Sequence, residues 1–220
     1  MFSKVPQRNP SVRVNQWVYS SLCQLILDGE FVPGVSITLR GIADSLEVSP
    51  MPVREAVTRL ISEGALDVSE HSRISVSVMN QSKFDEILYA RLQLEPKIAS
   101  QSLKLIDRKK IKQLDEIDKQ LDLYLETGNI EGYIKYNRLF HFGIYQSANS
   151  PVIFPMINSL WLQFSPFMRV VAGIVGTNTI HDYHKAALNA IIGQNHKALY
   201  DAIHNDISEG MGLLNDSIVN

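Results

Sequence analysis

Between Leu39 and Ile61 the apolar residues fall at helical spacing, stop, and start again; this interruption constrains the fold more than any other part of the chain. Ile42, Ala43 and Leu46 make the first run, Glu47-Val48-Ser49 breaks it, and Val53, Ala56, Val57, Leu60 and Ile61 resume it. The pattern predicts two short helices joined by a tight turn. Ser49 stands where an N-cap is needed, and Pro50 and Pro52 fall in the first turn, where a missing N–H costs little. Because Pro52 has no N–H to donate, a capping bond from the Ser49 side chain is expected at Met51. Arg54, Thr58 and Arg59 lie on the side that core packing leaves open. Two helices so joined are a means of presenting a recognition helix to the major groove of DNA.

The flanks fit that picture. Residues 1–10 are polar with two prolines and read as loose chain. Trp17, Val18, Leu22, Leu25 and Ile26 form one apolar stripe, which predicts a helix over Val14–Leu27, stopped by Gly29 and Pro33-Gly34. Leu66-Asp67-Val68 and Ile74–Val78 alternate apolar with polar around 69–73, the pattern of a two-stranded hairpin. From Ser82 onward the pattern is helical, with helices expected at 82–101, 107–127, 130–147, 151–174, 179–193 and 195–215. Asp107, Gly128, Asn149-Ser150-Pro151 and Gly193 punctuate them. The fold class is mainly α: a small unit with a β-hairpin over 1–80, then an all-α six-helix bundle over 81–220.

Composition narrows the setting. At 45% hydrophobic and 20% charged residues the chain has an ordinary soluble balance, and no apolar run approaches a membrane span. The N-terminus lacks a signal-peptide pattern, and Cys23 is the single cysteine, so a reducing cytoplasm fits and disulfide scaffolding is excluded. Net charge is −2, and residues 1–80 carry seven Lys and Arg against eight acids, so any DNA binding depends on where charges lie. Lys4, Arg8 and Arg13 precede the first acid, Asp28, and form either a basic arm for phosphates or a solvated tail.

Residues 29–79 resemble the winged helix-turn-helix domain of GntR-type bacterial regulators. The matching pieces are Gly29–Gly34, Leu39-Arg40 with Ile42-Ala43, Val48-Ser49, Pro52–Ala56, and Leu60–Leu66. The resemblance implies that the hairpin is the wing, although His71-Ser72 stand near its tip where the family usually has a glycine. It assigns groove or phosphate contacts to Arg40, Met51 and Arg54. Ser49, Thr58 and Arg59 join them from their place on the same surface.

The second half holds a polar constellation. His141 lies in an apolar helix beside Phe140, with Asn137 one turn earlier on the same face, while His184 and Asp206 fall on the last two helices. This is similar to the ligand-binding domain of the FadR branch of GntR regulators, at Arg91, Glu95, Phe140-His141, Ala148-Asn149 and His184. Six helices look more like the VanR-type subgroup. Many members hold a divalent metal with an Asp and three His at the floor of an effector cavity. Here Asn137 replaces the usual Asp and Asp206 the last His, so the carboxylate has moved. His141, His184 and Asp206 suit zinc, nickel, manganese or iron, with Asn137 a weaker fourth ligand. The alternative is a metal-free polar pocket. His181 and His204 stand near matching positions, and His196 reads as a surface residue.

The family's cavity implies a small organic-acid effector. Arg91 and Arg169 lie among apolar neighbours and could clamp a carboxylate, or Arg91 could pair with Glu95 at i+4. Tyr89, Trp161, Phe164 and Phe167 either line that pocket or belong to plain core. The whole reads as a cytoplasmic, non-enzymatic transcriptional regulator that binds a palindromic double-stranded DNA operator as a homodimer and has no membrane partner. Two other readings are a metal-dependent hydrolase using His141, His184 and Asp206, and a winged-helix interaction module that does not bind DNA.

Overall fold

The computed structural model describes residues 2, 5–69, 73–176 and 183–216. They fall into two compact units, one of residues 1–78 with 161–167 and the other of residues 79–160 with 168–220.

In the first unit, α1 (Val14–Leu27) buries Trp17, Val18, Leu22, Leu25 and Ile26, the stripe expected from spacing. It ends because Gly29 takes φ +74°, which lets the N–H groups of Gly29 and Glu30 turn back to the carbonyls of Ile26 and Leu25. The next two helices are α2 (Leu39–Ser45) and α3 (Pro50–Ser62). Thr38 caps α2 through a bond to the Gly41 N–H, but Ser49 makes no side-chain cap bond, contrary to expectation. The turn between them closes as α1 does, with Val48 N–H to the Ala43 carbonyl and Glu47, not a glycine, at φ +54°.

The sheet has a third strand that the sequence pattern did not show. β1 (Ile37–Thr38), β2 (Leu66–Val68) and β3 (Arg73–Val76) are antiparallel in the order β1-β3-β2, with Ile37 opposite Ile74 and Leu66 opposite Val76. The expected two-stranded hairpin is therefore part of a three-stranded sheet. Its tip at His71-Ser72 lies outside the described residues, as does Lys4 of the basic arm.

The second unit contains α4 (Gln81–Ser102), a 3-10 turn over Leu103–Leu105, α5 (Arg108–Glu126), α6 (Ile130–Ser147), α8 (His184–Ile192) and α9 (His196–Leu214); α7 (Ile153–Val175) contributes residues to both units. Asn80, Asp107, Asn129 and Asn195 each cap a helix by accepting from the N–H three residues on. Helix α4 packs on α9 and α6, α5 on α6 and α8, and α8 on α9, so these five helices close into a ring. Helix α8 begins at His184, later than the expected 179, and residues 177–182 lie outside the description. Among the described residues no helix is long and apolar enough to cross a membrane.

Candidate functional site

Helix α3 separates its residues cleanly. Pro52, Val53, Ala56, Val57 and Leu60 are buried, while Met51, Arg54, Glu55 and Thr58 form an exposed row at helical spacing. Arg40 on α2 and Ser49 in the turn are exposed as well. The row thus offers a cation, a thioether and a hydroxyl on one surface, with no core role for any of them. Without a cap bond of its own, the exposed Ser49 hydroxyl is placed beside the N-terminus of α3, where backbone N–H groups and the helix dipole favour an anion.

Arg59 departs from the sequence reading. Its Nε lies 2.9 Å from Glu63 Oε1, and its guanidinium carbon sits 3.7 Å above the Tyr19 ring. The Tyr19 hydroxyl donates to both Glu63 oxygens at 2.8 Å. Arg59 is therefore a bracket between α1 and α3 rather than a side chain held open for a partner.

In the second unit three donors from three helices converge. His141 Nε2 (α6) is 3.0 Å from Asp206 Oδ2 (α9) and 3.4 Å from His184 Nε2 (α8); His184 Nε2 is 3.8 Å from Asp206 Oδ1. One ligand atom from each of the three residues can be chosen so that all lie within 4.8 Å of one another. Donors about 2.1 Å from a single ion stand roughly 3.0–3.4 Å apart in octahedral or tetrahedral surroundings; the two His141 separations fall in that range and the His184–Asp206 separation of 3.8 Å is slightly longer, a set that could hold a divalent cation. Both imidazoles are buried, and the Phe140 ring lies 4.2 Å from that of His184 as an apolar wall. Burial alone would raise the Asp206 carboxyl, but the charge and hydrogen bond of His141 and the charge of His184 outweigh it and hold the group well below the usual carboxylate range. Asp206 also accepts the Tyr183 N–H at 3.2 Å. Asn137 is buried on α6, one turn before His141.

Around this centre stands an outer layer. Tyr145, one turn after His141, meets His141 Nδ1 at 2.9 Å and donates to Glu95 Oε2 at 2.9 Å. Burial, then the Glu95 charge, push the Tyr145 hydroxyl well above its ordinary value, so it stays a phenol. Arg91 Nε donates to Glu95 Oε1 at 2.6 Å, the second of the two alternatives for that arginine. Asp118 of α5, buried, has Oδ1 3.7 Å from His184 Nδ1. The sequence reading missed Asp118. Its signal was present: an acid between Leu114 and Leu121 on the buried stripe of an amphipathic helix.

Other expectations are corrected. Arg169 is exposed on α7 rather than set among apolar neighbours, which removes the reason for expecting it to clamp an effector. Tyr89 is 69% exposed and lines no interior. Trp161, Phe164 and Phe167 are buried, but they are grouped with the first unit, whereas the cluster belongs to the second. His196 is exposed and bonds Ser100, and His204 stacks on Tyr200. His181 lies outside the described residues. A groove of about 840 Å³ runs between α5 and α8, with Arg108, Lys112, Lys119 and Lys185 among its walls and Asp118 also lining it. Lys112 is paired with Glu116, Lys119 with Asp115 and Lys185 with Asp122, so its positive field is largely neutralised.

Comparison with known proteins places both halves. Residues 15–76 match the model of bacterial regulatory proteins of the gntR family, and residues 86–209 match that of the FCD domain. The chain is 32% identical over 168 residues to the HTH-type transcriptional regulator McbR of Escherichia coli K12, covering 74% of this chain and 76% of that protein. It is 23% identical over 154 residues to the HTH-type transcriptional repressor RspR of the same organism, covering 70% and 68%. In fold it matches the solved structure of E. coli McbR/YncC with a TM-score of 0.86 at 24% identity, over 93% of this chain and 98% of that one.

Proposed function

The chain belongs to the gntR family of bacterial regulatory proteins and carries an FCD domain, and from that premise we propose that it is a homodimeric, operator-binding regulator whose DNA affinity is set by a small organic acid at the His141–His184–Asp206 centre. That it is a transcriptional regulator and not an enzyme follows from its relatives, and the hydrolase reading is set aside. On this proposal the protein is a cytoplasmic homodimer on a palindromic operator.

On the DNA side, the α3 row supports Arg54 as a base-reading residue, with Met51 and Thr58 beside it and Arg40 and Ser49 on the backbone. Two symmetry-related α3 helices would enter successive major-groove faces about 10 base pairs apart. On the effector side, the observation that carries the proposal is the convergence of two imidazoles and one carboxylate at ion-binding separations. Zinc, nickel, manganese or iron would suit this donor set, with Asn137 able to add a neutral oxygen. A divalent cation bound there supplies net positive charge and open coordination positions, which favour an acidic ligand. An effector changes DNA affinity only if it binds the two arrangements of the dimer unequally.

The test is elemental analysis of protein purified without a chelator or histidine tag, repeated on His184→Ala. Near-stoichiometric metal that is lost in the variant is expected. Protein without metal, and with an unchanged melting temperature on adding zinc, nickel or manganese, would leave a purely hydrogen-bonded pocket in place of the metal centre.

A further inference from the structure

We propose that Arg91, Glu95 and Tyr145 form a positioning relay that keeps a proton on His141 Nδ1 and so reserves His141 Nε2 for the centre of the cluster. The inference rests on the metal reading for its consequence but not for its geometry. Glu95 is fully buried and held by Arg91 Nε at 2.6 Å, with a longer contact of 3.4 Å from the guanidinium Nη2 to its other oxygen. A carboxylate bound in this way accepts hydrogen bonds and has none to donate. The Tyr145 hydroxyl, 2.9 Å from Glu95 Oε2, must then spend its single proton on Glu95. Its remaining capacity is as an acceptor. Among the described residues, the polar atom that the structure sets opposite that capacity is His141 Nδ1 at 2.9 Å, so Nδ1 is the donor and carries hydrogen.

The consequence lies at the other ring nitrogen. Nε2 points at Asp206 Oδ2, 3.0 Å away, and at His184 Nε2, 3.4 Å away. It either donates a proton to Asp206 or gives that proton up and coordinates a cation. Either way the ring is held against turning over, because a flip about Cβ–Cγ would put Cδ2 opposite the Tyr145 hydroxyl and Cε1 at the centre, leaving both without a nitrogen. Residues one turn apart on α6 (His141, Tyr145) and one turn apart on α4 (Arg91, Glu95) thus meet across two helices to fix one imidazole. The second histidine faces a carboxylate instead, with His184 Nδ1 3.7 Å from Asp118 Oδ1. In this account Arg91 acts through Glu95 and Tyr145 as a positioning residue, and not as a clamp on the effector.

The test uses the full-length protein with its histidines labelled with nitrogen-15. Long-range proton–nitrogen correlation spectra assign each ring nitrogen as protonated or bare, in metal-free protein and after adding zinc. The relay predicts a protonated His141 Nδ1 in both, and loss of that state in Tyr145→Phe with the fold intact. A parallel cobalt titration, followed by its visible absorption, should show affinity about 10- to 100-fold weaker in Tyr145→Phe, as for loss of an outer partner of a metal-binding histidine. A general structural weakening would lower the melting temperature without moving the ring-nitrogen signals. A bare Nδ1 in the wild-type protein, or a Tyr145→Phe spectrum that keeps Nδ1 protonated, overturns the relay. Failure of the wild-type protein to take up cobalt would instead count against the metal centre, and the metal-free spectrum would still decide the relay.

Discussion

Arg54 and Arg59 stand five residues apart on α3 in different settings. Arg54 lies in the exposed row with Met51 and Thr58, whereas Arg59 is drawn onto Tyr19 and Glu63. Arg54→Ala should lower operator affinity by about 1–3 kcal/mol in anisotropy titrations at fixed salt, as for a residue that reads a guanine edge. Arg59→Ala should leave that affinity nearly unchanged and lower the melting temperature instead, by an amount set by an exposed ion pair and cation–π contact worth about 1 kcal/mol together. Equal losses of affinity in the two variants would contradict this division. Beside this bracket, Cys23 is buried and its thiol is pushed up to about 11: burial raises it most, the Tyr19 hydrogen bond lowers it, and the Glu63 charge raises it again. A thiol is neutral when protonated, so the folded state holds this proton more tightly than the unfolded chain, whose thiol titrates near 8.5. The stabilisation is complete below about pH 8.5 and is lost as pH rises towards 11. Wild-type melting temperature should therefore fall faster than that of Cys23→Ala across that interval, and parallel curves would show that Cys23 is not a source of the loss.

Among the elements, the turn between α2 and α3 places Glu47 in the left-handed region at φ +54°, where glycine is cheaper than any other residue. Glu47→Gly should stabilise the protein by roughly 0.5–1 kcal/mol, read as a higher denaturant midpoint at unchanged slope. Destabilisation would mean that the Glu47 side chain contributes more than its backbone costs. The same region shows what local pattern can and cannot disclose. Helix α1 was legible to the residue because five apolar positions share one face and a glycine closes it. The two-residue β1 was not, since two residues carry no period and its pairing to β3 is made by distant chain. Ser49 was placed at the cap by residue type, but Pro52 removes the usual third N–H and the hydroxyl makes no substitute bond. Helices α4, α5, α6 and α9 were legible through their capping residues Asn80, Asp107, Asn129 and Asn195.

At the scale of the molecule, the candidate centre is assembled from residues far apart in sequence: Glu95, Asp118, His141, His184 and Asp206 come from five different helices of the ring. Residue type disclosed the two imidazoles and Asp206, because inward histidines in an apolar helix stand out. The outer layer was harder to see. Tyr145 looked like core, and its role depends on where its hydroxyl ends, 2.9 Å from both neighbours, which only the packing of α4 against α6 decides. Arg169 misled for the converse reason: apolar neighbours in sequence did not become neighbours in space. On the proposed function, α3 reads DNA as one of a symmetric pair under control of a ligand held in the helical ring. The most direct measurement is selection of fragments from total bacterial DNA by the full-length protein, followed by titration of the selected sequence against salt. The account predicts a two-fold related sequence with half-sites centred about 10 base pairs apart, and an affinity that falls steeply as salt is raised. Absence of any enriched sequence, or enrichment of a single half-site bound with an affinity indifferent to salt, would contradict it.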